Sequence, residues 1–175
     1  MSKISLFEYF LKRLVEWYCE HYAIASSEFN DHHRNDLSKL KIIKLHFFAC
    51  STNNDALDVF DAFHAMPYGH VESEVYNRLT NLRYCQISST KLGIIDLERF
   101  MSLQPDNSSM IDIIVESLKK ENADLITMEP FDLVELSHKW FSWRYNFQKA
   151  RQDGMYSKPI SKDLIIREEK FYSLF

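Results

Sequence analysis

Apolar residues return at four-three-four spacing near the start of the chain, at Phe7, Leu11, Leu14 and Tyr18, the period of one buried helix face. Ser5 and Glu8 stand at capping-box spacing ahead of that stripe, with Ile4 and Tyr9 at the staple positions. A helix is therefore predicted from near residue 4, fading between Ala23 and Ser26 into the polar run Ser26 to Asp31. A second stripe, Leu37, Leu40, Ile43 and Phe47, predicts a helix capped by Asp36 with Lys39, Lys41 and Lys44 outward. Ala56 to Ala65 fits neither period well and is read as a short strand. Met66-Pro67-Tyr68-Gly69 places Pro second and Gly fourth, the chemistry of a type I turn. Behind it, Val75, Leu79 and Leu82 give a third helix its inner face, with Glu72 and Glu74 favourable at its N-terminus.

Between residues 83 and 104 the pattern is ambiguous. Tyr84 to Ile87 and Gly93 to Leu97 carry strand-forming residues, yet Asp96 to Phe100 suits a helical turn equally well, and both readings stay open. Ser109 and Asp112 open a fourth helix with Ile111, Ile114, Val115 and Leu118 inward, ending near Asn122. Pro130 suits the first turn of a fifth, whose seam Leu133, Leu136, Trp140, Trp143 and Phe147 runs to the stop at Asp153-Gly154. Ser161 caps a last short helix carrying Leu164, Ile165, Phe171 and Tyr172. No internal repeat or long linker divides the chain. The expectation is one mainly α (α+β) domain over 1–175, a compact bundle of about five to six helices with a small β-hairpin or short sheet.

Composition sharpens this picture. Only 3 Gly and 4 Pro occur in 175 residues, too few for turn-rich sandwiches or barrels, or for a disordered chain. The 21 Lys+Arg against 25 Asp+Glu leave a net charge of −4, so a protein whose main task is neutralising phosphates is not expected; this charge does not forbid a local basic patch, although direct nucleic-acid binding is not the expected role. Cys19, Cys50 and Cys85 are widely spaced without a Cys-x-x-Cys pair, which fits a reducing cytoplasm better than a disulfide framework. Lys3, Glu8, Lys12, Arg13, Glu16 and Glu20 interrupt any apolar run at the N-terminus, so neither a leader peptide nor a membrane span is expected.

Candidate chemistry is sparse. His64 and His70 flank the Pro67-Tyr68 turn, with Asp61 and Glu72 nearby, which invites a small metal-dependent or acid/base hydrolase as the alternative function. Against it, the two imidazoles are six residues apart across a turn, not at the i,i+4 spacing of a helical ligand pair. The plainer expectation is that His64 lies on a strand face and His70 at a helix entry, both partly solvated. The cysteines fall within or beside apolar faces, where a thiol is buried and inert. No glycine-rich phosphate loop or nucleophile elbow is present, and three glycines could not build one. Lys139 to Arg151 interleaves aromatic and cationic residues, as a single-strand-binding surface does. Trp140, Trp143 and Phe147 are nevertheless assigned to the core. That leaves Phe141 and Tyr145, with Arg144, as candidate partner-binding residues on a flanking strip that also holds His138.

The run Phe63-His64-Ala65-Met66-Pro67-Tyr68-Gly69-His70-Val71-Glu72-Ser73-Glu74-Val75-Tyr76 resembles the signature of the Panacea domain, the SocA-like antitoxin family that includes phage-associated GepA-type proteins. Three further segments agree in order. Leu40 to Ala49 resembles the family's early Lys-Leu-x-Tyr-Phe helix, Leu136-Ser137-His138 with Trp143 its late Leu-Ser/Thr-His…Trp element, and Pro159 to Ile165 its closing helix. Together they span residues 5 to 172. His70 stands where the family usually has Pro, which restores a donor N–H. The resemblance implies a helical antitoxin with a small sheet that neutralises a cognate protein toxin, encoded beside it, by direct binding. It implies no cofactor, no metal and no catalysis. One relative delivers its toxin to a protease, so a proteolytic partner system is a second mode of the same role, and a homodimer through an exposed aromatic strip stays open. Ala65, Pro67, Tyr68, Gly69, His70, Val71, Tyr76, His138 and Trp143 are the motif residues, expected either to hold the fold or to touch the partner.

Overall fold

The computed structural model describes residues 2–175. Helix α1 (Lys3–Tyr22) buries Phe7, Phe10, Leu11, Leu14 and Tyr18 and closes on Ala23 in the left-handed region. Its N-cap is Ser2, and the expected Ser5/Glu8 capping box does not form. Glu8 is instead buried, and its carboxylate accepts from the Arg83 backbone N–H and Nε, each at 3.1 Å, tying the loop before the second hairpin to α1.

Helix α2 (Lys39–Cys50) is capped by Ser38, whose hydroxyl accepts the Lys41 N–H, rather than by Asp36. Asp36 binds the Lys41 ammonium at 2.8 Å. Lys41 and Lys44, expected outward, are both fully buried. With Ile42, Ile43, Leu45, Phe47 and Phe48 distributed around the axis, α2 has no solvent face along its length to hold them. Helix α3 (Asn54–Val59), capped by Asn53, occupies the first half of the stretch read as a strand; Ala56, Leu57 and Phe60 bury at helical spacing.

Strand β1 (Phe63–Met66) begins after it and pairs with β2 (Gly69–Glu72) in a tight antiparallel hairpin closed by Pro67 and Tyr68. Strand β5 (Lys158–Pro159) adds to the other side of β1, giving the order β2-β1-β5. The third helix is a single turn, α4 (Ser73–Tyr76), capped by the Glu72 carboxylate. Both open readings of the next stretch are realised. Strands β3 (Cys85–Ile87) and β4 (Leu92–Ile94) form a second hairpin, and α5 (Leu97–Met101) follows with Asp96 as its cap.

Helix α6 (Ser108–Glu121) packs on α1 and buries Ile111, Ile114, Val115 and Leu118, as its spacing predicts. Asp112 does not cap it but accepts from Tyr9 Oη and Arg13 Nη1, at 2.8 and 2.7 Å. The expected long fifth helix is two helices, α7 (Pro130–His138) and α8 (Phe141–Gln152), broken at Lys139-Trp140. Trp140 leaves the seam, is fully buried and donates Nε1–H to the Phe171 carbonyl at 3.1 Å. Helix α9 (Lys162–Arg167) is capped by Ser161 as expected, with Phe171 and Tyr172 beyond its end. The outcome is a mainly helical α+β fold, with nine α-helices among the described residues. No described helix is long and apolar enough to cross a membrane.

Candidate binding groove beside a buried histidine

The β1–β2 hairpin is where the distant parts of the chain meet. Ala65 faces His70 across the two strands, and alternation points their N–H and C=O groups away from each other. On the β1 side, the Phe63 carbonyl accepts the Ile160 N–H at 2.9 Å beside β5. On the β2 side no strand follows. There Ser137 Oγ of α7 accepts the His70 N–H at 3.1 Å, and Lys44 Nζ of α2 donates to the His70 carbonyl at 2.7 Å. Two side chains thus close an edge that would otherwise offer unpaired backbone groups. The His70 N–H, which a proline at this position would lack, is put to use in this way.

The His70 side chain is fully buried, not partly solvated at a helix entry as expected. Its ring stacks on Phe47 with centroids 3.6 Å apart, Nδ1 lies 2.6 Å from Ser137 Oγ, and Nε2 lies 2.8 Å from Ser142 Oγ. Burial, then the Lys44 and His138 charges, hold its pKa well below the ordinary histidine value. A neutral imidazole has one donor and one acceptor nitrogen, so one serine donates to the ring and the other accepts. On an unbroken helix, residues five apart point about 140° away from each other and could not grip one ring at both nitrogens. The break at Lys139-Trp140 brings Ser137 and Ser142 together, and Glu168 secures the new helix start by accepting the Ser142 N–H at 2.7 Å. Ser137 and His70 have the contact of a nucleophile and base. Neither, however, has any surface exposure through which a substrate could approach.

The α7–α8 corner also grips the turn. Trp143 Nε1–H donates to the Met66 carbonyl at 2.7 Å, and His138 stacks on Trp143 with centroids 3.7 Å apart. Gly69 has φ +108°, and a Cβ there would collide with Ser137 Oγ and lie 2.9 Å from Ser137 Cβ, so only glycine permits this approach.

On the other side of the turn lies an open groove of about 560 Å³, within the usual range for ligand pockets. Leu40, Ile43, Met66 and Val71 line it, and Tyr68, Tyr76, Phe131 and Tyr156 contribute rings. Tyr68, Phe131 and Tyr156 are 57%, 65% and 72% exposed, and Tyr68 meets Phe131 edge-on at 6.2 Å. Lys39 sits 4.1 Å over the Tyr76 ring, within cation–π reach. Lys44 forms part of the wall. Burial without any counter-charge pushes its ammonium down to about 7. Lys41 is also lowered by burial, but Asp36 opposes the shift.

No protein-family model, curated protein or solved structure matches this chain.

The other expected sites are dispersed. His64 pairs with Val71 and so faces the opposite side of the hairpin from His70, while Asp61 belongs to a third place. There, oxygens of Asp61, Glu72 and Glu74 lie within 4.8 Å of one another, the one trio of possible metal ligands among the described residues. The Lys3 ammonium pairs with all three, at 2.8 Å from Asp61 and from Glu72. Burial opposes the Lys3 charge, but the three carboxylates outweigh it and raise its pKa. The chain's own cation thus holds the acidic trio, and His64, His70 and Asp61 do not share a point.

Phe141 and Tyr145 stack on one another along the outer face of α8, with Arg144 exposed beside them. Trp143 and Phe147, assigned to the core, are only half-buried and stack in line with His138. The three cysteines are free and buried as expected, with the Cys85 thiol pushed up to about 12, first by burial and then by Glu8. Lys39, Lys44, Phe131, Ser142 and Tyr156 escaped the sequence reading. The signal for Lys44 was present in the all-round apolar character of α2.

Proposed function

We propose that this protein is an antitoxin of the Panacea/SocA-like kind, a cytoplasmic binding module that neutralises a protein toxin stoichiometrically, without cofactor or catalysis. The observation that carries this reading is the convergence of all four resembling segments on one hairpin. Lys44 and Phe47 from the first contact His70 in the second; Ser137 and Trp143 from the third bind His70 and Met66; Pro159 from the fourth pairs with His64. Segments matched by short motifs and by their order in the chain are the ones that build a single substructure, which supports a shared fold, and the role is inferred from that fold by analogy.

The groove supplies the surface such a role needs. Aromatic residues are favoured anchors in protein interfaces, and Tyr68, Tyr76 and Phe131 surround an apolar floor. Proteolytic delivery of the bound toxin is a second outcome of the same recognition event.

The test is co-expression with the product of the neighbouring gene. Restored growth and a stoichiometric complex on purification are expected. Absence of both overturns the antitoxin assignment.

A further inference from the structure

We infer that the groove recognises a partner segment in which apolar side chains stand beside a carboxylate, and that it does so through side chains, not by adding a strand. This deepens the proposed function, since it rests on the groove being the docking face. The outward N–H and C=O of His70 are already taken by Ser137 and Lys44, so the middle of β2 has no backbone groups left for an incoming strand. What remains open is a concave apolar floor, Leu40, Ile43 and Val71, under the exposed rings of Tyr68 and Phe131. Apolar surface left in water in this arrangement is suited to be covered by a partner.

Charge defines the second half of the occupant. Lys41 is matched by Asp36. Lys39, above Tyr76, has no carboxylate within 4.0 Å among the described residues, and Lys44, buried in the wall, has only the His70 carbonyl. The other acid at the groove, Glu129 beside Pro130 and Phe131, acts on the Lys41 ammonium together with Asp36, so both lining acids face a cation of the chain's own. An aspartate or glutamate of the partner would meet Lys39 while its apolar neighbours enter the floor. A basic segment would leave Lys39 facing like charge.

A random peptide library displayed on phage, panned against the full-length protein, tests this directly. Lys39→Glu and Tyr68→Ala/Phe131→Ala proteins serve as comparisons, with circular dichroism melting to confirm that each is folded. These side chains are solvent-facing or at the rim, so folding should survive.

Wild type should enrich peptides with aliphatic or aromatic residues within a few positions of Asp or Glu. Lys39→Glu should bind the best of them at least about tenfold more weakly, and the double variant should lose enrichment. Enrichment of basic or proline-rich peptides, enrichment indifferent to both variants, or none at all would overturn the inference. Growth rescue by the same proteins separates the two levels. Rescue that survives both variants keeps the antitoxin and removes the groove; a failed wild-type rescue with intact peptide selection does the reverse.

Discussion

His70 and Tyr68 stand two residues apart on one hairpin and live in opposite surroundings. The His70 ring is enclosed, stacked on Phe47 and held at both nitrogens by serines. The Tyr68 ring is 57% exposed at the lip of an apolar groove. A single short motif therefore does two jobs. Its inward residues, Ala65, Gly69 and His70, lock the hairpin to α2, α7 and α8. Its outward residues, Pro67, Tyr68 and Tyr76, shape a surface above the buried Val71. Lys44 links them, donating to the backbone of one and walling the other. Changes on the inner side should cost stability, and changes on the outer side should cost recognition alone.

The largest effect is expected from Gly69→Ala. Strain at φ +108° and the collision with Ser137 add to about 4 kcal/mol or more, read as a lowered urea midpoint or failure to fold. His70→Leu should follow at about 3 kcal/mol, because it strands two buried hydroxyls. A cost below about 1 kcal/mol would show that the serines find other partners.

Lys44 gives the contrast a pH signature. Its folded pKa of about 7 lies below its ordinary 10.5, so between these values the unfolded chain binds more protons and stability climbs as pH rises. Urea midpoints should show wild type gaining roughly 1 to 2 kcal/mol over Lys44→Met between about pH 7.5 and pH 9. Parallel curves would mean that Lys44 is not held in a desolvated place. Smallest of all, Tyr68→Ala should move stability by no more than about 0.5 kcal/mol, since an exposed ring makes little contribution to folding.

The same division explains what could be read from the chain. Faces with one clean apolar stripe, as on α1 and α6, were legible, as were the Pro67-Tyr68 turn and the Ser161 cap. Features decided by distant partners were not. Glu8 fits a capping box locally, yet Arg83, 75 residues away, claims it. The stripe from Leu133 to Phe147 is continuous, yet the buried Trp140 and the demand of one imidazole for two hydroxyls break the helix. Of the groove, the turn and Tyr76 were visible in the motif. Phe131 and Tyr156 were not, because nothing local to an exposed ring says which concavity it borders.

Hydrogen exchange on the complex with the neighbouring gene product would test most directly whether the outer face of the hairpin is the recognition surface. Added protection over residues 36–44, 66–71 and 129–131, with α8 unchanged, is the predicted footprint. Protection confined to the Phe141–Tyr145 face of α8, with the groove exchanging as in the free protein, would contradict it.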